Sequence, residues 1–316
     1  MAREKSGIIM ATPSPSIAPT SQTPATANEF IEQQLDDRLR EVEKGFGDVH
    51  ALSMNCPILF GIDDILRKSV EKKRQQSQPK DGKLVVILTT TGGYIETVQR
   101  MVDTLRRFYQ LVDFIVPNYA FSAGTVFAMS GDDIYMDYYS RLGPIDPQVE
   151  SQQGRQVSAL GQLEKYNALI EKAQNGTITT AEVQLLIDGF DQAELYHFEQ
   201  VRDLSISLLE EWLVKYKFKN WKETETRKLT VTDEMKKERA NMIAKELNNT
   251  KRWHSHGYGI SMDVLRRDLK LLINDYGNDP VLSAKIRGYH DLLADYMLRR
   301  ASEGVIHIVG EYRSVI

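Results

Sequence analysis

The longest uninterrupted apolar run, Leu84-Val85-Val86-Ile87-Leu88, has no polar position to turn toward water, which suits a strand covered on both faces. It runs through Thr89 and Thr90 into Thr91-Gly92-Gly93. Beyond that turn Ile95, Val98, Met101, Val102, Leu105 and Phe108 recur at helical spacing, with Arg100, Asp103, Arg106 and Arg107 on the other side. Leu111 to Val116 reads as a second strand, Ser122 to Met129 as a short buried helix and Ile134 to Met136 as a third strand. Strand, helix, strand, helix, strand within residues 84–136 predicts an α/β core with crossover connections.

The pattern weakens on either side. Residues 1–28 carry Pro13, Pro15, Pro19 and Pro24 among serine and threonine and predict a disordered tail. A polar helix is expected from Glu29 to Lys44, a short strand at Pro57 to Phe60, and a helix through Ile62, Ile65, Leu66 and Val70. After Pro147, residues 149–161 are polar and without period, which predicts a flexible surface loop. The remainder reads as mainly helical. Thr179 and Glu182 have capping-box spacing, and Leu195, Phe198, Val201, Leu204, Leu208, Leu209, Trp212 and Leu213 form one stripe. Further helices are expected over Asp233 to Asn248 and Met262 to Asp275, the second entered through Ser261.

Composition narrows the functional classes. A chain of 316 residues that is 41% hydrophobic can bury a sizeable interior, and a net charge of -4 with both signs interspersed gives no field for nucleic acid or anionic lipid. Small molecules or proteins are the expected targets. The single cysteine, Cys56, excludes an internal disulfide framework and a thiolate zinc site, and it suits a reducing, cytoplasmic setting. No run is long enough to span a bilayer.

Two strand-end turns carry the candidate chemistry. Ser122, at a strand-to-helix elbow, sits where unpaired helical N–H groups concentrate positive potential, so a developing oxyanion would be stabilised beside it. A helix-capping serine is the structural alternative. Ala123 and Gly124 keep the elbow accessible, and Gly92-Gly93 lies at the neighbouring strand end, where the glycines could equally form only a tight turn.

The segments Thr89-Thr90-Thr91-Gly92-Gly93-Tyr94-Ile95, Asn118-Tyr119-Ala120-Phe121-Ser122-Ala123-Gly124, Gly131-Asp132-Asp133-Ile134-Tyr135-Met136-Asp137 and Leu142-Gly143-Pro144-Ile145-Asp146-Pro147-Gln148 resemble the ClpP-class serine proteases. Their nearest pattern is that of the serine dehydrogenase proteinases, relatives of signal peptide peptidase A. A weaker similarity runs through Lys251 to Tyr258 and on to about Tyr276. The resemblance implies a ClpP/crotonase-like spiral of ββα units with a helical C-terminal half, assembled as a homo-oligomer. It also implies peptide-bond hydrolysis through an acyl-serine without a cofactor. On this pattern Ser122 is the nucleophile, Gly92 the first oxyanion donor with Gly93 beside it, and Ala123 the second. Residues 29–148 would form the catalytic core and 162–316 an extension that completes the site and supplies subunit contacts.

The pattern departs at the base, because Arg141 to Gln148 contains no histidine where ClpP has one. A serine hydroxyl needs a proton acceptor. His256 matches a histidine of the serine dehydrogenase proteinase pattern, and His254 lies one place outside that alignment. Lys165 stands where a peptidase A relative carries the lysine of a Ser–Lys pair, a role that requires desolvation. Asp146 and Asp133 are the carboxylates available to orient a histidine. His254 and His256 alone make a poor metal site. Two other readings stay open: a catalytically weak or inactive ClpP-like oligomeric scaffold that binds a protein partner, and acyl-thioester chemistry of the crotonase kind.

Overall fold

The computed structural model describes residues 26–79, 82–145, 148–150 and 156–315. The N-terminal tail up to residue 25 lies outside them. Helix α1 (Ala27–Phe46) starts just ahead of the expected Glu29, because Thr26 and Glu29 cap each other's backbone N–H groups. Strand β1 (His50–Asn55) follows, whereas a strand was expected at Pro57 to Phe60, where only Ile58 pairs, bridging to Gly93. His50 and Ser53 hid β1 from the apolar pattern. His50 is nevertheless buried, with Nδ1 2.8 Å from the Tyr109 hydroxyl and Nε2 3.0 Å from Ser77 Oγ, so its polar atoms are satisfied inside.

Next come α2 (Ile62–Gln76), β2 (Lys83–Thr89), α3 (Ile95–Phe108), β3 (Leu111–Ile115), β4 (Tyr119–Ala120), α4 (Ala123–Met129), β5 (Ile134–Met136) and β6 (Arg141–Leu142). Residues 149–161, expected as a loop, instead include an antiparallel hairpin, β7 (Gln148–Glu150) with β8 (Gln156–Ser158), and the start of α5 (Ala159–Gln174). Helix α6 (Thr180–Asp188) has the Thr179–Glu182 capping box. Helix α7 (Gln192–Trp212) carries the long apolar stripe and ends in a π-helical turn, Leu213–Lys217.

After α8 (Asp233–Leu247) and α9 (Thr250–Trp253), strand β9 (Ile260–Ser261) leads into α10 (Met262–Arg267), capped by Ser261 but far shorter than the helix expected to reach Asp275. Asn274–Asp275 form a strand, β10. The chain ends with α11 (Pro280–Arg299) and a hairpin, β11 (Val305–Ile308) and β12 (Glu311–Ser314), in a region expected to be mainly helical.

The fold is mixed α/β. Its main sheet has the order β10-β5-β3-β2-β1-β11-β12, with β10 through β1 parallel, β11 antiparallel to β1 and β12 antiparallel to β11. Alternation along β2 divides the interior: Leu84, Val86 and Leu88 face α2, α3, α4 and α7, while Val85 and Ile87 face α1 and α11. Because both faces are covered, β2 has no polar residue between Lys83 and Thr89. Trp212 and Trp253 are buried in the first of these layers and Trp221 packs against it. A smaller sheet, β4-β6-β9, stands beyond the C-terminal ends of β2 and β3 and carries the candidate site.

Candidate active site

Thr90 pairs with Ala120, so the chain leaving β2 and the chain leaving β4 run side by side into their turns. Thr90 N–H donates to Tyr119 O and Phe121 N–H to Thr90 O, each at 3.0 Å. The two turns are thereby fixed against each other. A Cβ on Gly92 would fall 2.6 Å from Phe121 O and 2.8 Å from Ser122 Cβ, and one on Gly93 would fall 2.1 Å from Ile58 O. Only glycine allows this closeness, and both residues have positive φ, 97° and 146°.

Ser122 has φ 53° and ψ -122°, a backbone conformation that side chains other than glycine rarely adopt. It is a strained strand-to-helix elbow of the kind that presents a nucleophile. The helix that follows makes it possible: Gly124 N–H donates to Phe121 O at 2.8 Å and Thr125 N–H to Ser122 O at 2.9 Å. The residue is 4% exposed. Its side chain does not cap α4, which removes the simple capping role.

The amides sort themselves by what they already bind. Gly92 N–H donates to Thr90 Oγ1 at 3.1 Å, so the expected first oxyanion donor is engaged within its own turn. Among the described residues, Gly93 N–H and Ala123 N–H donate to no protein acceptor. Gly92 is the glycine that packs against Ser122, with its own amide occupied, while Gly93 packs against Ile58 with its amide unengaged. Sequence reasoning passed over Thr90, although a threonine two residues before a glycine is a known side-chain-to-backbone turn signal.

One wall is formed by the turn after β6. Thr125 Oγ1 lies 2.8 Å from Ala120 O and 2.9 Å from Gly143 O and accepts the Gly143 N–H at 3.0 Å, locking that turn to the elbow. Ile145 N–H donates to Leu247 O, which ties the same turn to the end of α8. Asp146 lies outside the described residues.

The other expected residues are distributed as follows. Ala120 pairs with Leu142 and Leu142 with Ile260 in the antiparallel sense, so the chain preceding Ile260 leaves the small sheet at the same end as Ser122. His256, four residues back and half-buried, is on that segment. His254 is exposed and closes α9 in a left-handed conformation, with φ 58°. Lys165 is exposed on α5, away from the buried Leu163 and Leu169. Its neighbour Glu164 accepts a hydrogen bond from the Thr250 hydroxyl, so α5 meets the helix that leads to His256.

Asp133 is a correction. Ile134 is level with Phe114 and Val86, which puts Asp133 about five residues, roughly 16 Å, from Thr90 along the sheet. There it pairs with Lys217 at 3.0 Å, beside Asp132, which holds Arg106 at 2.6 Å, Lys219 and the Val112 N–H. Burial pushes Asp132 up, but these partners outweigh it and hold its carboxyl below the usual value. Both aspartates fasten the end of α7 to the sheet.

Cys56 is buried, and burial pushes its thiol up to about 12. A cavity of about 110 Å³, lined by Arg239, Ile243, Glu246, Arg252 and Leu269 among others, includes none of the site residues. No described helix is long and apolar enough to cross a membrane.

Ser122 thus stands in a glycine-like backbone conformation at adjacent strand ends of an α/β sheet, with the Gly93 and Ala123 amides donating to no protein acceptor among the described residues. Residues 60–185, which include the diglycine, Ser122 and Lys165 but not His256, match the family of ClpP-like SDH-type serine proteinases. Two uncharacterized proteins of Methanocaldococcus jannaschii are similar: one is 28% identical over 125 residues, 40% of this chain and 40% of its own length, and the other 33% identical over 96 residues, 29% and 34%. The chain thus spans well under half the length of these curated relatives. Among solved structures, a membrane-bound stomatin-specific protease with a substrate peptide has a TM-score of 0.42 at 13% identity, covering 84% of this chain and 85% of that one. ClpP1 from Listeria monocytogenes gives 0.39 at 10%, covering 78% and 97%.

Proposed function

We propose that the chain is a serine hydrolase that cleaves peptide bonds through an acyl-serine intermediate. The observation that carries this reading is the Ser122 elbow, strained to φ 53° against Gly92 of the diglycine turn; the Gly93 and Ala123 amides, which donate to no protein acceptor among the described residues, are its oxyanion donors in this reading. Ser122 Oγ adds to the scissile carbonyl carbon as its proton passes to a base. The carbonyl oxygen becomes an anion that the two amides receive. Collapse expels the amine, which takes a proton from the base, and water then repeats the sequence on the acyl-serine.

His256 is the base in this reading, since it is half-buried on a segment that emerges at the Ser122 end of the small sheet. Lys165 is the rival, and its exposure in one chain argues against it, because a lysine base depends on desolvation. The substrates would be peptides or unfolded protein segments, and the working form a homo-oligomer.

Labelling with a fluorophosphonate tests the proposal. The reagent should modify Ser122 and nothing in Ser122→Ala, and His256→Ala should lower peptide turnover by at least about 100-fold. Retained turnover there, with loss in Lys165→Ala, would transfer the role to the lysine. The low exposure of Ser122 favours a second reading, a non-catalytic oligomeric scaffold, and absence of labelling under all conditions would select it.

A further inference from the structure

The cavity of about 110 Å³ between α8, α9 and the end of α10 holds a positive charge that no described residue balances. Arg239, Met242, Ile243 and Glu246 stand at i, i+3, i+4 and i+7 of α8, so they form one stripe along its wall, and Leu269 lines the same space. Arg252, on α9, donates to both Glu246 and Asp268 and lies over the Trp253 ring, 4.4 Å from its centroid. Arg267 donates to Asp268 as well, from Nε at 2.6 Å. Both carboxylates are thus engaged by Arg252 and Arg267. Arg239 makes no hydrogen bond or ion pair with any described residue, and burial alone draws its pKa below the usual arginine value, with no anion to raise it. It stays protonated all the same.

We propose that this cavity binds a monocarboxylate bearing a short apolar group, with the carboxylate on Arg239 and the apolar part against Met242, Ile243 and Leu269. The site is separate from Ser122 and stands whether or not the acyl-serine reading holds. Three guanidiniums, those of Arg239, Arg252 and Arg267, meet two carboxylates, so one negative charge completes the set. A phosphate dianion would overshoot it beside Glu246 and Asp268. A planar carboxylate also matches the paired N–H donors of the Arg239 guanidinium, which no described group occupies. The aliphatic side chains beside it then shelter a hydrocarbon body from water. A cavity of about 150 Å³ admits a benzene ring, so one of about 110 Å³ admits a body of about four or five carbon atoms. Met242 is 59% exposed at the rim, which leaves room for a longer chain to continue outward. A free short-chain acid and the C-terminal residue of a peptide both offer this chemistry, a carboxylate next to a small aliphatic group.

The test uses the full chain, with isovalerate as the probe and isovaleramide, its uncharged isostere, as the control, titrated by saturation-transfer NMR. Isovalerate should bind the wild type at least about tenfold more tightly than the amide, and Arg239→Met should weaken isovalerate by a similar factor while leaving the amide unchanged. Equal binding of acid and amide by the wild type, or binding of neither, overturns the proposal without recourse to a variant. Undiminished isovalerate binding in folded Arg239→Met overturns it too. So does displacement of isovalerate by equimolar inorganic phosphate, which would make Arg239 a plain anion contact. A tripeptide ending in leucine, compared with its C-terminal amide, separates the two sources. Tighter binding than isovalerate, lost on amidation, assigns the site to peptide ends, and weaker binding assigns it to free acids.

Discussion

Thr90 holds Gly92: its Oγ1 accepts the glycine N–H at 3.1 Å, and its Cγ2 occupies the space where a Cβ on Gly124 would lie, 2.3 Å away. One side chain thus shapes the diglycine turn and the first turn of α4 together. Thr90→Val keeps the methyl contact and removes the acceptor, leaving a buried N–H without a partner. The expected cost is about 1–3 kcal/mol, read by chemical denaturation, with slower fluorophosphonate labelling as the turn loosens.

Ser122→Gly should separate stability from reactivity. Glycine adopts φ 53°, ψ -122° without strain, so the variant should gain about 1 kcal/mol in folding stability while losing all labelling. A drop in thermal midpoint would show that the elbow stores no strain.

Gly93→Ala should do the reverse. Its Cβ would meet Ile58 O at 2.1 Å in a backbone with φ 146°, so the turn must shift. A loss of roughly 3 kcal/mol or more is expected in a denaturant titration, with loss of labelling in whatever folds.

Asp133→Asn should leave labelling of Ser122 in place while lowering the thermal midpoint, since the side chain serves Lys217 at the far end of the sheet. Abolished labelling without unfolding would return Asp133 to the site.

His50 should give the fold a pH dependence. Burial, then the charges of Lys73 and Arg74, lower it to about 4 from an ordinary 6.5, so between those values the unfolded chain binds a proton that the folded chain does not. Stability contributed by neutral His50 is complete above pH 6.5, falls as pH drops toward 4 and then levels off. The thermal midpoint of the wild type should fall more steeply from pH 6.5 to 5 than that of His50→Gln, whose side chain does not titrate.

The apolar run at Leu84 to Leu88, the helical stripe from Ile95 to Phe108 and the two small-residue turns were legible because each is a local pattern, periodic or compositional. Strand β1 was not, since His50 and Ser53 are polar residues made tolerable by partners at Tyr109, Ser77 and beyond. The β11–β12 hairpin was missed for a related reason. Val305 to Ile308 is too short to stand out, and it becomes a strand by pairing with β1, some 250 residues earlier.

The site divides in the same way. Residue types alone determined that Ser122 and the diglycine stand at adjacent strand ends, because small residues at the ends of apolar runs leave few other arrangements. Which amide of the diglycine stays unengaged was decided by a hydrogen bond from Gly92 to Thr90 and by the bridge from Ile58 around Gly93, and Asp133 was carried to the far end of the sheet by strand register. Those outcomes depend on distances between segments far apart in the chain, and such distances exist only once the sheet has formed.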